Sequence, residues 1–329
     1  MTYLVVTVDT EEDMPGWQVQ PTPRVRNAAA LPRFHALCEK HGVAPTYLVT
    51  YPMATQDPAR GILRELAPHA EIGSHLHAWT CPPFDGERSD RVSYQKDLSL
   101  ARQREKLLRL GEAIERELRV RPTSHRAGRF GLDEAGFALL EELGYVVDSS
   151  VAPRIDLRAD GGPDYRSAPL APYAPRAGAW LKAGAARPLL EVPVGVALTR
   201  ALPAPLRWAY LHSPRALKLR GLLSKDYLGW VDLFWLYPTQ YAVGEMQRAA
   251  LALRAQGSAV WTLFLHSSEL SPGESPYTRS AEEVDRLFER IDEFLAWALG
   301  PGGAKAARLS QVPALLGVPG RATTRAAAR

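Results

Sequence analysis

Short runs of apolar, mostly β-branched residues alternate along the chain with longer stretches in which apolar positions recur every three or four residues. The runs at 4–8, 46–49, 71–73, the approach to Arg126, 145–147, 190–194 and 259–265 predict strands. The stretches at 30–41, 58–67, 91–119, 133–143, 243–256 and 281–298 predict helices. In 91–119, Leu98, Leu100, Leu107, Leu108, Leu110, Ile114 and Leu118 stand among charged residues at a helical period. Asp133 is placed as an N-cap, and Gly144 as the glycine that ends the same helix. Such alternation predicts parallel strands with helices outside them, and about seven units predict a closed or nearly closed barrel rather than an open sheet. No internal repeat or interior linker divides the chain, so one domain is expected over 1–317. Irregular insertions are expected at 151–189, rich in Ala, Pro, Gly and Arg, and at 198–238.

Composition narrows the class. The 329 residues are 46% hydrophobic and 23% charged, enough for a substantial core, which excludes wholesale disorder and a fibrous repeat. No run approaches the roughly 18 apolar residues of a spanning helix, so no transmembrane segment is expected. The chain opens straight into its first strand without a basic leader. Its two cysteines, Cys38 and Cys81, are too few for a disulfide scaffold, so the expected address is cytoplasmic. The net charge of +4 suggests a nucleic-acid partner until its distribution is read. Arg321, Arg325 and Arg329 lie in an acid-free tail, 318–329, expected to be disordered; without them 37 basic residues face 36 acidic ones. A nearly neutral body excludes a polyanion footprint. Within 198–238, Arg200, Arg207, Arg215, Lys218, Arg220 and Lys225 stand among Trp208, Tyr210, Trp230, Phe234 and Trp235. That mixture suits an anionic sugar or peripheral contact with a membrane surface, although a helical cap with a solvated charged face is the preferred plain reading.

Four polar clusters follow predicted strands, where parallel barrels place their chemistry. In Asp9-Thr10-Glu11-Glu12-Asp13 the two-residue spacing sends Asp9 and Glu11 to one face, suiting a metal ligand beside a general base; a solvated acidic loop suits Glu12 and Asp13. His75 and His77 repeat that spacing, and two imidazoles with a carboxylate are the usual donors for a catalytic Zn²⁺. His35, His41, His69 and His212 stand singly and are assigned to structure, and Cys81 is read as a small buried thiol rather than an extra ligand. Arg126 is placed to lock Asp9 by a bidentate pair, while Ala127 and Gly128 leave a backbone N–H open for an oxyanion. His266, delivered by a buried strand, is placed to protonate a leaving amine.

Taken in this order the clusters resemble the polysaccharide deacetylase family, the NodB-like carbohydrate esterases, over most of 1–300. The acidic opening, His75-Leu-His-Ala-Trp79, Trp235-Leu-Tyr-Pro238 and His266-Ser-Ser-Glu-Leu270 look most like its lipopolysaccharide-linked subgroup. The resemblance implies a distorted (β/α)7 barrel and metal-assisted hydrolysis of an N-acetyl group on a glycan or sugar-containing precursor. It also implies Asp9 as base, His266 as acid, Arg126 as tether of the base, the Arg129 backbone N–H as oxyanion donor and His75 as the first metal histidine. Three positions depart from the family pattern: Thr10 replaces a metal-binding Asp, Trp79 stands where the second metal histidine is usual, and Gly128 replaces the proline of Arg-x-Pro. Glu11 and His77 lie on the faces that repair the first two. The expected ligands are therefore Glu11, His75 and His77, with Asp9 as an alternative, for Zn²⁺ or for Co²⁺, Fe²⁺ or Ni²⁺. Hydrolysis of a cyclic amide on the same barrel and a non-catalytic glycan-binding relic are the other readings.

Overall fold

The nine-residue run Thr2–Thr10 is β-branched and apolar almost throughout, and it forms the buried central strand β1. The structure, a computed structural model, describes residues 1–17, 22–84, 93–213, 219–224 and 227–318. Six more strands follow β1: β2 (Thr46–Val49), β3 (Glu71–Leu76), β4 (Ser124–Ala127), β5 (Val147–Asp148), β6 (Leu190–Glu191) and β7 (Val260–His266). Their order is β7-β1-β2-β3-β4-β5-β6, and every neighbouring pair is parallel. An eighth strand, β8 (Ala304–Ala307), pairs with Thr2–Val5 of β1, below the half of that edge occupied by β2. The sheet curls into an incomplete barrel. Between β6 and β7 the backbone is bridged irregularly: Gly195 N–H donates to Thr262 O, Leu236 N–H to Gly195 O and Phe264 N–H to Leu236 O.

Amphipathic helices cover the outside: α1 (Leu31–Lys40), α2 (Ala59–Leu66), α3 (Leu100–Leu118), α4 (Glu134–Glu142), α5 (Val243–Ala255) and α6 (Ala281–Leu299). Phe34, Leu63, Leu110, Phe137, Met246 and Ile291 from these helices share one core with Leu4, Val6, Val8, Ile72 and Leu263 of the strands. Val5, Leu48, Val147, Leu190 and Val260 belong to a second cluster inside the barrel, closed by Leu309 and Val312. Burial of this outer layer, at about 25 cal/mol per Å² of apolar surface, holds helices against sheet.

Boundaries moved for local reasons. The helix expected from 91 begins at Leu100, because Ser99 caps it by accepting from Arg102 N–H; a short turn, Gln95–Asp97, precedes it, and 91–92 lie outside the described residues. The strand expected at 145–147 starts at Val147, since Tyr145 N–H is spent on Leu140 O in the turn made by Gly144 at φ +88°. Asp133 caps α4 as expected, accepting from Gly136 N–H. The strand expected at 190–194 stops at Glu191, two residues before Pro193, which offers no N–H to a ladder. Residues 151–189 contain a hairpin, Pro175–Arg176 with Ala179–Ala183. In 198–238 an antiparallel pair, Val196–Leu198 with Leu233–Trp235, carries short helices Ala204–His212 and Leu219–Leu223. Arg215, Lys218, Lys225 and the tail from 319 lie outside the described residues. Among those described, no helix is long and apolar enough to cross a membrane.

Candidate active site

Strand alternation decides which side chains enter the barrel mouth. In β1, Leu4, Val6 and Val8 face the helices, so Val5, Thr7 and Asp9 face inward. In β3, Ile72 and Leu76 pack outward, leaving Glu71, Gly73 and His75 inside. In β7, Trp261, Leu263 and Leu265 pack outward, leaving Phe264 and His266 inside. Ala127 of β4 does the same for Arg126. Register then aligns the ends: Asp9 lies opposite His266, and His75 opposite Arg126.

Glu11, His75 and His77 converge, with one potential ligand atom from each lying within 4.8 Å of the others. Glu11 Oε2 is 3.2 Å from His77 Nε2 and 3.9 Å from His75 Nε2. Ligands about 2.1 Å from a tetrahedral ion sit ~3.4 Å apart, so the spacing fits one. Both imidazoles are oriented from behind. His75 Nδ1–H donates to the Arg126 carbonyl and His77 Nδ1–H to Glu12 Oε1, each at 2.8 Å, which turns both Nε2 atoms toward Glu11. Burial lowers His75 to about 3, keeping it neutral as a ligand must be. Burial works against charge on His77 too, but Glu12 and Glu11 overcome it and raise the ring to about 10. Burial raises the Glu11 carboxyl. Two carboxylates therefore hold a proton on His77 where a divalent cation would meet the same charge demand. The donor set fits a metal ion.

Asp9 stands beside this cluster. Its Oδ1 accepts from Arg126 Nη1 at 2.5 Å, and its Oδ2 is 4.0 Å from His75 Nε2 and 3.9 Å from His266 Nε2. Burial would raise the Asp9 carboxyl, but Arg126, His75 and His266 outweigh it and hold it below the ordinary value. The bidentate clamp expected of Arg126 is instead a single contact. Its Nε donates to Ser149 O and its Nη2 to Ser149 Oγ, so two of its three nitrogens are committed to the loop after β5. On the opposite side, His266 Nδ1–H donates to Glu269 Oε1 at 2.8 Å, and Glu269 is in turn held by Tyr237 Oη–H and by Thr239 Oγ1–H at 2.6 Å. Burial opposes a charged His266, but Glu269 and Glu11 raise it to about 9.

The three departures from the family pattern interlock. Thr10 turns away, donating to Val8 O, and leaves the inner face to its neighbours. The Trp79 ring stacks on His77 with centroids 4.1 Å apart, so its bulk backs that imidazole. A Cβ at position 128 would lie 2.7 Å from His77 Cδ2 and 2.7 Å from Leu76 O; glycine is what lets His77 in. Arg129 and Phe130 follow, both at φ +56°, an uncommon strained pair for non-glycine residues at the cavity rim. The Ala127 N–H, one of the expected open donors, is taken by Ser150 Oγ at 2.8 Å.

Sequence reasoning missed Glu12, Asp13 and Glu269. All three are buried rather than solvated: Glu12 orients His77, Asp13 accepts from Asn27 N–H and Nδ2–H, and Glu269 orients His266. The signal was local for Glu269, three residues after His266, and absent for Glu12, whose partner is 65 residues away. His35, His41 and His212 meet Tyr47, Asp292 and Trp208, away from the cluster. Cys81 is buried against Lys106 O. Above the polar floor lies a cavity of about 440 Å³ walled by Trp17, Trp79, Phe130, Trp235, Tyr241 and Tyr277.

No family model and no curated protein matches the chain. Solved structures do. A Mycobacterium smegmatis protein assigned as a polysaccharide deacetylase aligns with a TM-score of 0.54 and 19% identity, over 98% of this chain and 94% of that one. A Pseudomonas aeruginosa PAO1 protein with the same assignment aligns with a TM-score of 0.52 and 13% identity, over 94% and 89%. The chain thus has the polysaccharide-deacetylase fold, a curled seven-stranded parallel barrel with helices around it.

Proposed function

We propose that this chain is a metal-dependent deacetylase that removes an N-acetyl group from a sugar of a polysaccharide or lipopolysaccharide precursor. The observation that carries the reading is the convergence of Glu11, His75 and His77, flanked by Asp9 and His266. Glu11, His75 and His77 would hold the ion, Zn²⁺ being the first choice for such donors. When bound, a divalent cation supplies Lewis acidity toward an amide carbonyl and acidifies water. Asp9, kept ionised by Arg126, accepts a proton from the attacking water at Oδ2. His266, kept protonated by Glu269, donates from Nε2 to the departing amine. Arg129, in left-handed backbone, lines the cavity, and its N–H would donate to the oxyanion. Indole and phenol faces of the cavity wall suit the apolar face of a sugar ring.

The relic reading rests on the altered positions 10 and 79; the convergence of Glu11, His75 and His77 supports the catalytic reading against it. Two unpaired, buried thiols, Cys38 and Cys81, agree with a cytoplasmic setting. Acetate release from N-acetylated glycans tests the proposal. His266→Ala should keep its metal and lose about 10²–10⁴ of turnover. Metal-replete wild type that releases no acetate from any such glycan, or a His266→Ala variant as active as wild type, would refute it.

A further inference from the structure

Helix α6 carries two arginines, Arg286 and Arg290, four residues apart and therefore on one face. Both line a second cavity, of about 190 Å³, together with Thr239, Tyr277, Thr278 and Glu283. Like charges at this spacing repel each other. Glu283, the one carboxylate in the lining, is engaged in capping the helix, where it accepts from the Arg279 and Ser280 N–H groups. Among the described residues neither arginine forms an ion pair; Arg290 donates to the carbonyls of Pro238 and Thr239, and Arg286 has no hydrogen-bond partner. Burial and the neighbouring Arg286 push the Arg290 guanidinium below its ordinary value, with Glu245 working the other way. Two guanidinium groups thus share a cavity that supplies neither with an ion-pair partner.

This second cavity adjoins the catalytic one. Tyr277 lines both. The turn at 237–241 stands between them, with Tyr237, Gln240 and Tyr241 lining the catalytic cavity and Thr239 the second. Arg290 braces that turn through its two carbonyl contacts, and Thr239 Oγ1–H donates to Glu269, which orients His266. From the acid to the second cavity the way passes one indole: the Trp17 ring lies 4.8 Å from His266 and 5.8 Å from Tyr277, centroid to centroid. Guanidinium forks match the paired oxygens of an anion, and a neutral glycan offers none. A carboxylate occupies one fork, whereas a phosphate, with about two negative charges and three acceptor oxygens, engages two. The geometry points to an anion subsite: Arg286 and Arg290 hold a phosphate carried by the sugar whose acetamido group meets the Glu11, His75 and His77 cluster. The inference rests on the deacetylase reading and narrows its substrate from glycans at large to phosphate-bearing sugars.

The experiment is isothermal titration of the full chain, supplied with Zn²⁺, with N-acetylglucosamine 1-phosphate, N-acetylglucosamine and inorganic phosphate, so that binding is read without turnover. The sugar phosphate should bind at least about tenfold more tightly than the sugar, and raised salt should narrow that preference. Arg286 is exposed and makes no hydrogen bond, so Arg286→Glu should unfold at the wild-type temperature and abolish the preference. Arg290→Lys keeps the charge and loses the fork, and should reduce the preference without abolishing it. Arg116→Glu, the same charge reversal on an exposed position of α3, should leave it unchanged. The preference should persist in Glu11→Ala, which separates the arginines from a phosphate bound on the metal. Equal affinity of wild type for the sugar and its phosphate, a preference that survives Arg286→Glu, or one that vanishes in Glu11→Ala overturns the inference. So does tight binding of inorganic phosphate with no gain for the sugar phosphate over the sugar, which would make this a site for a free anion. A phosphate preference without acetate release would keep the subsite and lose the deacetylase reading. Acetate release with equal affinities would do the reverse.

Discussion

Glu12 and Glu269 each accept a hydrogen bond from the Nδ1–H of a histidine at the cavity floor. His77 has Glu12 behind it and Glu11 before it; His266 has Glu269 behind it and Asp9 before it. Each carboxylate fixes a tautomer, so each ring presents Nε2 to the cavity. Glu12→Gln keeps a side chain of the same size and removes the charge. Its metal affinity should fall about 10–100-fold in a competitive chelator titration, with the fold intact by circular dichroism; an unchanged affinity would make Glu12 a bystander. For His266 the pH profile is the readout. A general acid must be protonated, so turnover should fall as pH rises through about 9, where Glu269 and Glu11 hold this ring against burial. A base must be ionised, so the acid limb should lie below the ordinary carboxylate value because Asp9 is depressed. Glu269→Gln removes the largest favourable charge on the ring, and the alkaline limb of kcat should move downward. A limb that stays in place would separate His266 from the proton transfer. Asp9 with Glu11 and His75 with His77 were legible as pairs at strand ends, because a spacing of two fixes a face; Arg126 and His266 were legible only as single polar residues after predicted strands. Glu12 was not, since its burial depends on a histidine 65 residues on.

At the level of elements, position 128 joins strand, turn and the His77 ring. The chain leaves β4 through Gly128, which lies against the imidazole of His77, and enters left-handed backbone at Arg129 and Phe130. Gly128→Ala would press a methyl group on His77 and on the Leu76 carbonyl, neither of which is the far end of a flexible chain. A cost of about 1–3 kcal/mol is expected in denaturant unfolding, together with weaker metal retention. Retention equal to wild type would show that His77 has room to spare. The helices and strands themselves were readable from periodicity wherever β-branched runs or caps marked them. Elements without that mark were missed. β8 is Ala-Lys-Ala-Ala, which has no β-branched residue, and the hairpins at 175–183 and 196–235 depend on contacts across insertions.

For the molecule as a whole, the barrel is an arrangement for bringing remote strand ends together. Asp9 stands near the end of the first strand with Glu11 just beyond it, His75 near the end of the third with His77 just beyond it, Arg126 in the fourth and His266 at the end of the last long strand, and parallel register delivers all of them to one mouth. The alternation of strands and helices was enough to foresee this architecture. How the mouth is closed was not, because Gly195, Leu236 and Thr262 bridge the gap through irregular backbone bonds rather than a ladder. That convergence is proposed to make a site for a divalent ion in which Glu11 stands in for an aspartate at position 10. Elemental analysis of the purified wild type beside its Glu11→Ala variant tests it most directly. Near-stoichiometric divalent metal is expected in the wild type and little in the variant, with thermal unfolding showing both folded. Equal metal in the two proteins, or none in a folded wild type supplied with Zn²⁺, would contradict it.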